Sequence, residues 1–389
     1  MSSITREVQQ KELETNGIEW LLGTTKKHKG GWEMKNWKKW IAVTFCLVLV
    51  LTLCSVEARA ESKEVRLMSW GGSIQKMFEE KGFAEKFEEQ TGYKFRLIAK
   101  APSAVIISTA IAQKDRPEVD VVMCDLGAWI RGRDLGIFAK LDPKIVTNLK
   151  DLYPIARIDD VGVCPYGEIM CILYHPEIFK EKGWPKPTSW EDILRPELAG
   201  MIAIPTIDNT FGLTTMVVLA RLRGGGESNI EPGFEAEKEL APRVLTWEHH
   251  YSRLGQLFEA RSIAMTVYCS SAAFRFKKRG LAVDHVYPEG SPLIPTTLGV
   301  MKGAPNPEGA QALANFLISS EFGGFRANNY GNIPLNRKAS LDEDTAERLG
   351  IGEELFANLA KIDWSITNEH RTEWVERWEK EIATIKLNQ

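Results

Sequence analysis

Apolar positions after residue 60 switch repeatedly between short continuous runs and helical spacing. Glu64–Ser69 reads as a strand, and apolar residues at helical spacing over 74–87 predict a helix that follows it. The near-continuous apolar run Val119–Met123 is typical of a strand that is buried in a parallel sheet. Because strand and helix patterns alternate, the chain is predicted to form βαβ units around a doubly wound sheet.

The same alternation continues downstream. Residues 167–174, 201–205 and 261–268 are predicted strands, and a long apolar helix is predicted to begin near Phe211. The C-terminal segment 364–382 carries tryptophan and isoleucine at helical spacing, which predicts an amphipathic helix that packs on the rest of the protein.

The N-terminal region has the pattern of a secretory signal peptide. A basic stretch over 34–40 precedes an apolar run over 41–53, and the small-x-small triplet Ala58-Arg59-Ala60 follows. The apolar run is shorter than the ~20 residues that a membrane span needs, although an uncleaved anchor is the alternative. We therefore expect export to the periplasm, with cleavage after Ala60.

Two further features of this region bear on processing. Residues 1–33 are polar and place the signal unusually far inward, so we expect translation to begin at Met34. Cys54 is preceded by Leu53 rather than by the small residue that lipoproteins carry, so we expect a soluble protein without a lipid anchor.

Composition narrows the classes of partner. The net charge of −3 and a pI near 6.2 give no reason to expect a nucleic-acid partner. No C-x-x-C spacing occurs, so neither a structural zinc site nor another metal or cofactor is predicted. Whether any disulfides form stays open for the cysteines that follow the signal: Cys124, Cys164, Cys171 and Cys269.

A series of short motifs runs through the chain in a fixed order. It comprises Ser69-Trp70-Gly71-Gly72, residues 135–142, residues 190–200, Tyr287-Pro288-Glu289-Gly290 and the tail 373–378. With these motifs, the chain resembles family 1 of the bacterial extracellular solute-binding proteins over residues 64–385. The similarity is to the branch that contains the spermidine/putrescine-binding proteins.

The resemblance implies an α/β, two-lobed periplasmic binding protein fold of type II, with the ligand cleft between the lobes. We expect residues 61–165 and 269–335 to form lobe 1, and residues 166–268 and 336–389 to form lobe 2. The implied function is that of the monomeric substrate-binding component of an ABC-type importer, which hands a small molecule to a permease in the cytoplasmic membrane.

Candidate ligand-binding residues lie where predicted strands end and helices begin, because pockets of open α/β sheets form there. Each has an ordinary structural alternative, such as a buried core aromatic, a helix cap or a solvated loop acid. The candidates are Trp70, Gly71, Gly72, Asp125, Asn209, Thr210, Tyr268, Ser270, Glu289 and Tyr330.

The candidate positions lack the acidic residues that polyamine binders carry, and this narrows the expected class of ligand. Polyamine binders of this family carry acids beside the first aromatic and near a later tryptophan, where this chain has Gly71-Gly72 and Cys269-Ser270. An ammonium group that leaves water needs such carboxylates. No Tyr-Tyr pair is present, which weighs against iron. An amino acid, an opine-like compound or another polar organic solute is expected, with a polyamine as the alternative.

Other functional classes find less support in the sequence. The chain has no phosphate-binding loop, dinucleotide fingerprint, H-E-x-x-H or G-x-S-x-G motif, so we expect no enzyme. Glu248-His249-His250 is interpreted as a surface segment rather than a metal site. Because two-lobed enzymes and chemoreceptor-coupled sensors share this fold, both remain alternatives.

Overall fold

The computed structural model describes residues 63–248, 251–349 and 353–385. The predicted signal peptide, the segment before it and both residues of His249-His250 lie outside this part. The strands are β1 (Glu64–Ser69), β2 (Lys94–Ala99), β3 (Val121–Asp125), β4 (Arg157–Ile158), β5 (Gly162–Tyr174), β6 (Ile202–Pro205), β7 (Val244–Glu248), β8 (Met265–Cys269), β9 (Asp284–Val286), β10 (Leu293–Val300) and β11 (Ile333–Pro334).

Helices connect these strands. The α-helices are α1 (Ser73–Glu80), α2 (Phe83–Thr91), α3 (Ser103–Ala112), α4 (Leu126–Asp134), α5 (Pro176–Lys182), α6 (Thr210–Leu222), α7 (Glu231–Leu240), α8 (Tyr251–Glu259), α9 (Ser270–Lys278), α10 (Pro307–Leu317), α11 (Ser320–Tyr330), α12 (Glu343–Leu349), α13 (Glu353–Asn358) and α14 (Trp364–Glu381). Short 3-10 turns cover Thr147–Asp151, Pro154–Ala156, Trp190–Leu194, Pro196–Leu198 and Ala241–Arg243.

The long strand β5 joins two groups of strands. Its first half pairs antiparallel with β10, which continues through β3 and β1 to β2. Its second half pairs antiparallel with β8, which continues through β6 to β7. Strands β2, β1 and β3 run parallel to one another, and so do β8, β6 and β7, as the alternating pattern predicted. We call the β2-β1-β3-β10 group sheet A and the β8-β6-β7 group sheet B.

The chain crosses between the two sheets more than once. It passes from sheet A to sheet B along β5 and returns between β9, which pairs with the second half of β5, and β10. Such crossing strands are what two lobes that move about a hinge require. The residue bounds predicted above for the two lobes stay a prediction.

Two predicted elements differ in extent from those observed. The single helix expected from the apolar spacing over residues 74–87 is two helices, because Gly82 adopts a left-handed conformation with φ 75° between them. The strand expected over 261–268 begins at Met265 instead. Arg261 has φ 54°, outside the extended region, so the chain turns before it enters the strand.

A buried carboxylate fixes sheet A to the helix that covers it. Asp120 is fully buried and accepts hydrogen bonds from the backbone N–H groups of Arg66 at 2.8 Å and Asn306 at 2.6 Å. Asn306 in turn caps α10 by accepting from the N–H of Gly309. One acid therefore satisfies backbone donors on both sides of the strand end.

The predicted C-terminal helix, α14, contacts elements that follow both sheets. Near its start, Asn368 donates to the backbone oxygen of Gly127 in α4 at 2.5 Å. Near its end, Arg377 forms a bidentate ion pair with Glu231 of α7 at 2.6 and 2.7 Å. Among the described residues, no helix has the length and apolar character that a bilayer crossing demands.

Candidate ligand-binding cavity

A cavity of about 590 Å³ opens where strands of sheet A and the start of α6 approach each other. This volume lies within the ~300–1,000 Å³ range of small-molecule sites. Its lining mixes aromatic, acidic and basic side chains. The residues that line it are Trp70, Ala101, Pro102, Ser103, Ala104, Asp125, Gly127, Ala128, Arg131, Glu168, Asp208, Asn209, Thr210, Phe211, Ile294, Thr296, Trp364, Asn368 and Arg371.

Strand register explains which side chains form one wall of this cavity. Thr296 of β10 lies opposite Asp125 of β3 on one side and Tyr166 of β5 on the other. Two residues along, Ile294 of β10 lies opposite Glu168 of β5. Opposite residues and residues two apart share one face of a sheet, so these side chains project to the same side.

Three helices begin at the cavity. The residues around the starts of α3, α4 and α6 contribute to the lining. The first N–H groups of a helix have no partner within it, and the N-terminal end carries partial positive charge. At α6, Asn209 caps the helix by accepting from the N–H of Phe211 at 2.9 Å. This arrangement favours a negatively charged ligand group.

Asp125 ends β3 and stands at the start of α4 without capping it. Its Oδ2 accepts a hydrogen bond from the Ser103 hydroxyl at 2.8 Å. Burial raises the pKa of the Asp125 carboxyl, while the Ser103 hydrogen bond and the charge of Arg371 oppose that rise. The carboxyl is therefore a desolvated group whose charge the Ser103 hydroxyl and the positive charge of Arg371 partly compensate.

Two arginines supply positive charge to the cavity. Arg371 of α14 donates to the backbone oxygen of Asp208 at 2.7 Å, and burial lowers its pKa while Asp125 and Asp208 counteract this. Arg131 of α4 is exposed and joins no salt bridge within the described part of the chain. Guanidinium groups remain charged in proteins and match carboxylates geometrically, so both can receive an anionic ligand group.

Four of the ten predicted site residues line the cavity: Trp70, Asp125, Asn209 and Thr210. Tyr268 lies just behind it, because its ring packs on that of Phe211 at 4.4 Å and its hydroxyl hydrogen-bonds with Asn209. Burial raises the pKa of the Tyr268 phenol, with the neighbouring Cys269 adding to the rise.

The other five candidates do not line the cavity. Gly71 and Gly72 lead into α1, and Gly72 has φ 64°, a conformation that favours glycine. The Ser270 hydroxyl accepts from the N–H of Ile169 at 3.4 Å. Glu289 is exposed on a loop, and Tyr330 packs under the guanidinium of Arg326 at 4.8 Å.

Several lining residues escaped the sequence analysis. Glu168 had a signal, since it is a lone acid in the otherwise apolar strand β5. Asp208 directly precedes the named candidate Asn209, whereas Arg131 lies eight residues beyond the predicted strand Val119–Met123. Trp364, Asn368 and Arg371 belong to a helix predicted only to pack on the protein, and no local pattern assigns them to a cavity.

Within the described ranges, Cys124, Cys164, Cys171 and Cys269 are all buried free thiols. Burial raises the pKa of each thiol well above its ordinary value, which disfavours the nucleophilic thiolate at neutral pH. The same ranges contain no group of three or more acidic, histidine or cysteine side chains arranged to hold a metal ion.

Comparison with solved structures shows extensive similarity of fold. A Clostridium perfringens ABC transporter protein matches with a TM-score of 0.70 and 23% identity, over 82% of this chain and 99% of its own. The glucopine-bound protein MotA from A. tumefaciens B6 matches with a TM-score of 0.65 and 16% identity, over 82% and 99%. A Listeria monocytogenes protein named as a spermidine/putrescine ABC transporter matches with a TM-score of 0.64 and 18% identity, over 82% of this chain and 99% of its own.

These similarities confirm the predicted fold class, an α/β periplasmic binding protein fold with two lobes. A search of curated protein sequences finds no match. The sequence profile of the family described as bacterial extracellular solute-binding protein matches residues 82–350, more than half of the chain. The predicted resemblance is thereby confirmed, and the chain belongs to the bacterial extracellular solute-binding proteins.

Proposed function

We propose that this protein is the substrate-binding component of an ABC-type importer and that its solute is a small zwitterion such as an amino acid or an opine-like compound. The observation that carries the ligand class is the mixed charge of the cavity, in which Arg131 and Arg371 face the same space as Asp125, Glu168 and Asp208. A solute with both charges offers a partner to each set.

The arginines and the helix starts favour a carboxylate at one side of the cavity. Arg131 has no ion-pair partner in the described part of the chain, and Arg371 is held by a single backbone oxygen. The N-terminal ends of three helices add partial positive charge around them. A carboxylate bound there would form charge-assisted, bidentate hydrogen bonds with a guanidinium.

The acids and the aromatic rings favour an ammonium group and an organic body elsewhere in the cavity. Asp125 and Glu168 are desolvated carboxyls whose pKa values burial raises, so each gains from a positive neighbour. Trp70, Phe211 and Trp364 supply apolar surface for the carbon skeleton.

A polyamine is the second candidate, because three carboxylates line the cavity and a protein named for spermidine/putrescine transport has the same fold. A ligand with positive charges alone would face Arg131 and Arg371 without a group to offer them. Like charges in one desolvated site are repulsive, so we place the zwitterion first.

Thermal-shift and calorimetric titration of the purified protein tests the ligand class. The panel comprises α- and ω-amino acids, opines, putrescine and spermidine. A zwitterion is expected to raise the melting temperature, since a ligand at a hundredfold excess over its Kd stabilises by ~2.7 kcal/mol. A response to polyamines alone would replace the zwitterion, and conversion of the bound ligand to product would overturn the assignment as a binding protein.

Uptake in cells tests the importer role. We place the protein in the periplasm, after cleavage of the predicted signal peptide behind Ala60, as a monomer that docks on an ABC permease. Deletion of its gene is expected to abolish uptake of the labelled solute, and a plasmid copy to restore it. Loss of chemotaxis with unchanged uptake would instead indicate a receptor-coupled sensor.

A further inference from the structure

Glu168 occupies a singular position in the sheet. It is the one acid in the strand Gly162–Tyr174, and it lies opposite Ile294 of β10, two residues before Met170 pairs with Cys269 of β8. It therefore stands where β5 passes from sheet A to sheet B. Its side chain is half-buried and reaches the cavity.

The carboxylate of Glu168 is only partly satisfied by the protein. The Asn332 amide donates to its Oε1, and the Ser271 hydroxyl and the Cys269 thiol lie beside it and favour its charged form. Its Oε2 is buried and has no hydrogen-bond partner of ordinary geometry, and neither has Oδ1 of Asn332. Buried polar atoms without partners are costly, so a ligand donor at this point is favourable.

Two guanidinium groups lie near Glu168 but are held by other residues. Arg275 donates to the Tyr251 hydroxyl at 3.2 Å and stacks over its ring at 4.6 Å. Arg326 stacks over the Tyr166 ring at 4.2 Å and donates to Ser73 at 2.9 Å. In the ranges that the structure describes, no salt bridge within 4.0 Å includes Glu168.

The strand register separates Glu168 from the Asp125 end of the cavity. Asp125 lies opposite Thr296 and Glu168 opposite Ile294, so the two acids flank β10 on opposite sides and are two residues apart along it. With strands ~4.8 Å apart and a rise of ~3.4 Å per residue, their backbone positions are on the order of 12 Å apart. Arg371 belongs to the Asp125 end, because the charge of Asp125 counteracts the lowering of the Arg371 pKa by burial.

We propose that Glu168 binds the ammonium group of the solute and that the cavity therefore selects zwitterions whose ammonium and carboxylate are several atoms apart, the ω-amino acids, over α-amino acids. This inference rests on the proposed zwitterionic ligand. An ω-amino acid can place its carboxylate at the arginines and its ammonium at Glu168, whereas an α-amino acid bound at the arginines leaves Glu168 without a positive partner.

Constitutional isomers provide the sharpest test of spacing. γ-Aminobutyrate and α-aminobutyrate have the same atoms and the same charges, and they differ only in where the ammonium group stands. Calorimetry with these two, with β-alanine and with 5-aminovalerate is expected to show that at least one ω-isomer binds at least about tenfold more tightly than α-aminobutyrate, the ratio that ~1.4 kcal/mol represents. Equal or tighter binding of α-aminobutyrate than of every ω-isomer would overturn the spacing.

A matched pair of variants tests the residue. Glu168→Gln keeps an acceptor for Asn332 and removes the charge, so we expect about a tenfold to hundredfold loss of affinity for the ω-amino acid, as for the loss of a charged hydrogen bond. Glu197→Gln makes the same chemical change at an exposed position outside the cavity and is expected to bind like the unaltered protein. Unchanged affinity in Glu168→Gln would overturn the role of Glu168.

Two further readouts are needed. The melting temperature without ligand shows whether a variant folds, and zwitterion binding by the unaltered protein shows whether the proposed function holds. The melting temperature without ligand is expected to be unchanged or higher in Glu168→Gln, because the variant loses a desolvated charge. If that variant does not fold, Glu168→Asp, which keeps the charge on a shorter side chain, is expected to bind more weakly than the unaltered protein. If no zwitterion binds the unaltered protein, the proposed function itself is overturned.

Discussion

Individual side chains at this site combine a structural role with a place in the cavity lining. Asn209 both caps α6 and lines the cavity. The two interpretations of this residue, as a helix cap and as a ligand contact, are therefore compatible. Asp125 stands at a helix start but leaves the cap unused, and its carboxylate turns instead to the Ser103 hydroxyl. A carboxylate that stands at a helix start, makes no capping hydrogen bond and lines a cavity is a candidate for ligand contact.

Arg131 offers a clean test at the scale of one residue. Because it is exposed and has no salt bridge in the described part, Arg131→Gln is expected to leave the melting temperature of the free protein unchanged. The loss of one guanidinium from the cavity is expected to weaken binding of a zwitterion by about tenfold or more, as measured by calorimetry.

Arg96→Gln serves as the matched control, since Arg96 is exposed on β2 and its contact with Glu64 is long, at 3.6 Å. Both variants remove one surface guanidinium, but only Arg131 faces the cavity. If the two variants bind the solute equally well, Arg131 has no part in recognition.

Helix α14 contributes side chains to the cavity, which its amphipathic pattern does not reveal. It contributes Trp364, Asn368 and Arg371 to the cavity. Its position depends on contacts far away in the chain, including the hydrogen bond from the Trp378 indole to Glu237 of α7 at 2.6 Å. The packing of α14 on α7 therefore helps to hold three cavity residues in place.

Glu237 makes this packing dependent on pH. Burial raises the pKa of its carboxyl from 4.5 to about 8, with the Trp378 hydrogen bond opposing the rise. A carboxyl whose pKa is higher in the folded state binds its proton there more tightly. Its contribution to stability is therefore fully present below about pH 4.5 and is lost as the pH rises towards 8.

We expect Glu237→Gln to remove this loss, because glutamine keeps an oxygen for the Trp378 indole and cannot ionise. Relative to the unaltered protein, its free energy of unfolding is expected to improve between pH 5 and 8 by ~1 kcal/mol or more, given about 1.4 kcal/mol per pKa unit. Urea unfolding across this range measures it. Parallel pH profiles for the two proteins would contradict a buried, protonated Glu237, and Glu197→Gln, at an exposed acid, should leave the profile unchanged.

For the whole molecule, the cavity and the crossing strands predict a change of shape on binding. The lining draws on residues beside sheet A, such as Asp125, and on residues that follow sheet B strand β6, such as Asn209. A solute that contacts both sets stabilises the arrangement in which they are close together. We expect the crossings at β5 and before β10 to act as the hinge.

Small-angle X-ray scattering is expected to show a smaller radius of gyration when a saturating zwitterion is added. The physical reason is that bound solute favours the closed arrangement by its difference in affinity between the two states. A solute that calorimetry shows not to bind is the control. An unchanged radius of gyration with a ligand that demonstrably binds would contradict closure about these strands.

Much of the fold could be predicted from local patterns in the chain. Alternating apolar runs and helical spacing identified β1 and β6 close to their observed limits, and they identified the start of α6 to within one residue. The exceptions have local causes that patterns do not reveal: Gly82 and Arg261 adopt left-handed conformations that interrupt a helix and delay a strand. An apolar pattern reports which face is buried, and it does not report backbone conformation at one residue.

The cavity could be predicted only in part, and the reason is physical. A strand end followed by a helix start is a local signal, and it led to Trp70, Asp125, Asn209 and Thr210, all of which line the cavity. The signal points only to where the sheet opens. It does not identify the side chains that other elements bring to that opening. It also selects candidates that lie outside the cavity.

Local sequence patterns were enough to establish that this protein is built of alternating strands and helices and that it belongs with the solute-binding proteins, because neighbouring residues carry both kinds of information. Which charges meet in the cavity depends on tertiary packing. Glu168 reaches the cavity through the register of β5 with β10, and Arg371 through the packing of α14. Both depend on contacts between residues far apart in the chain, which no local pattern encodes.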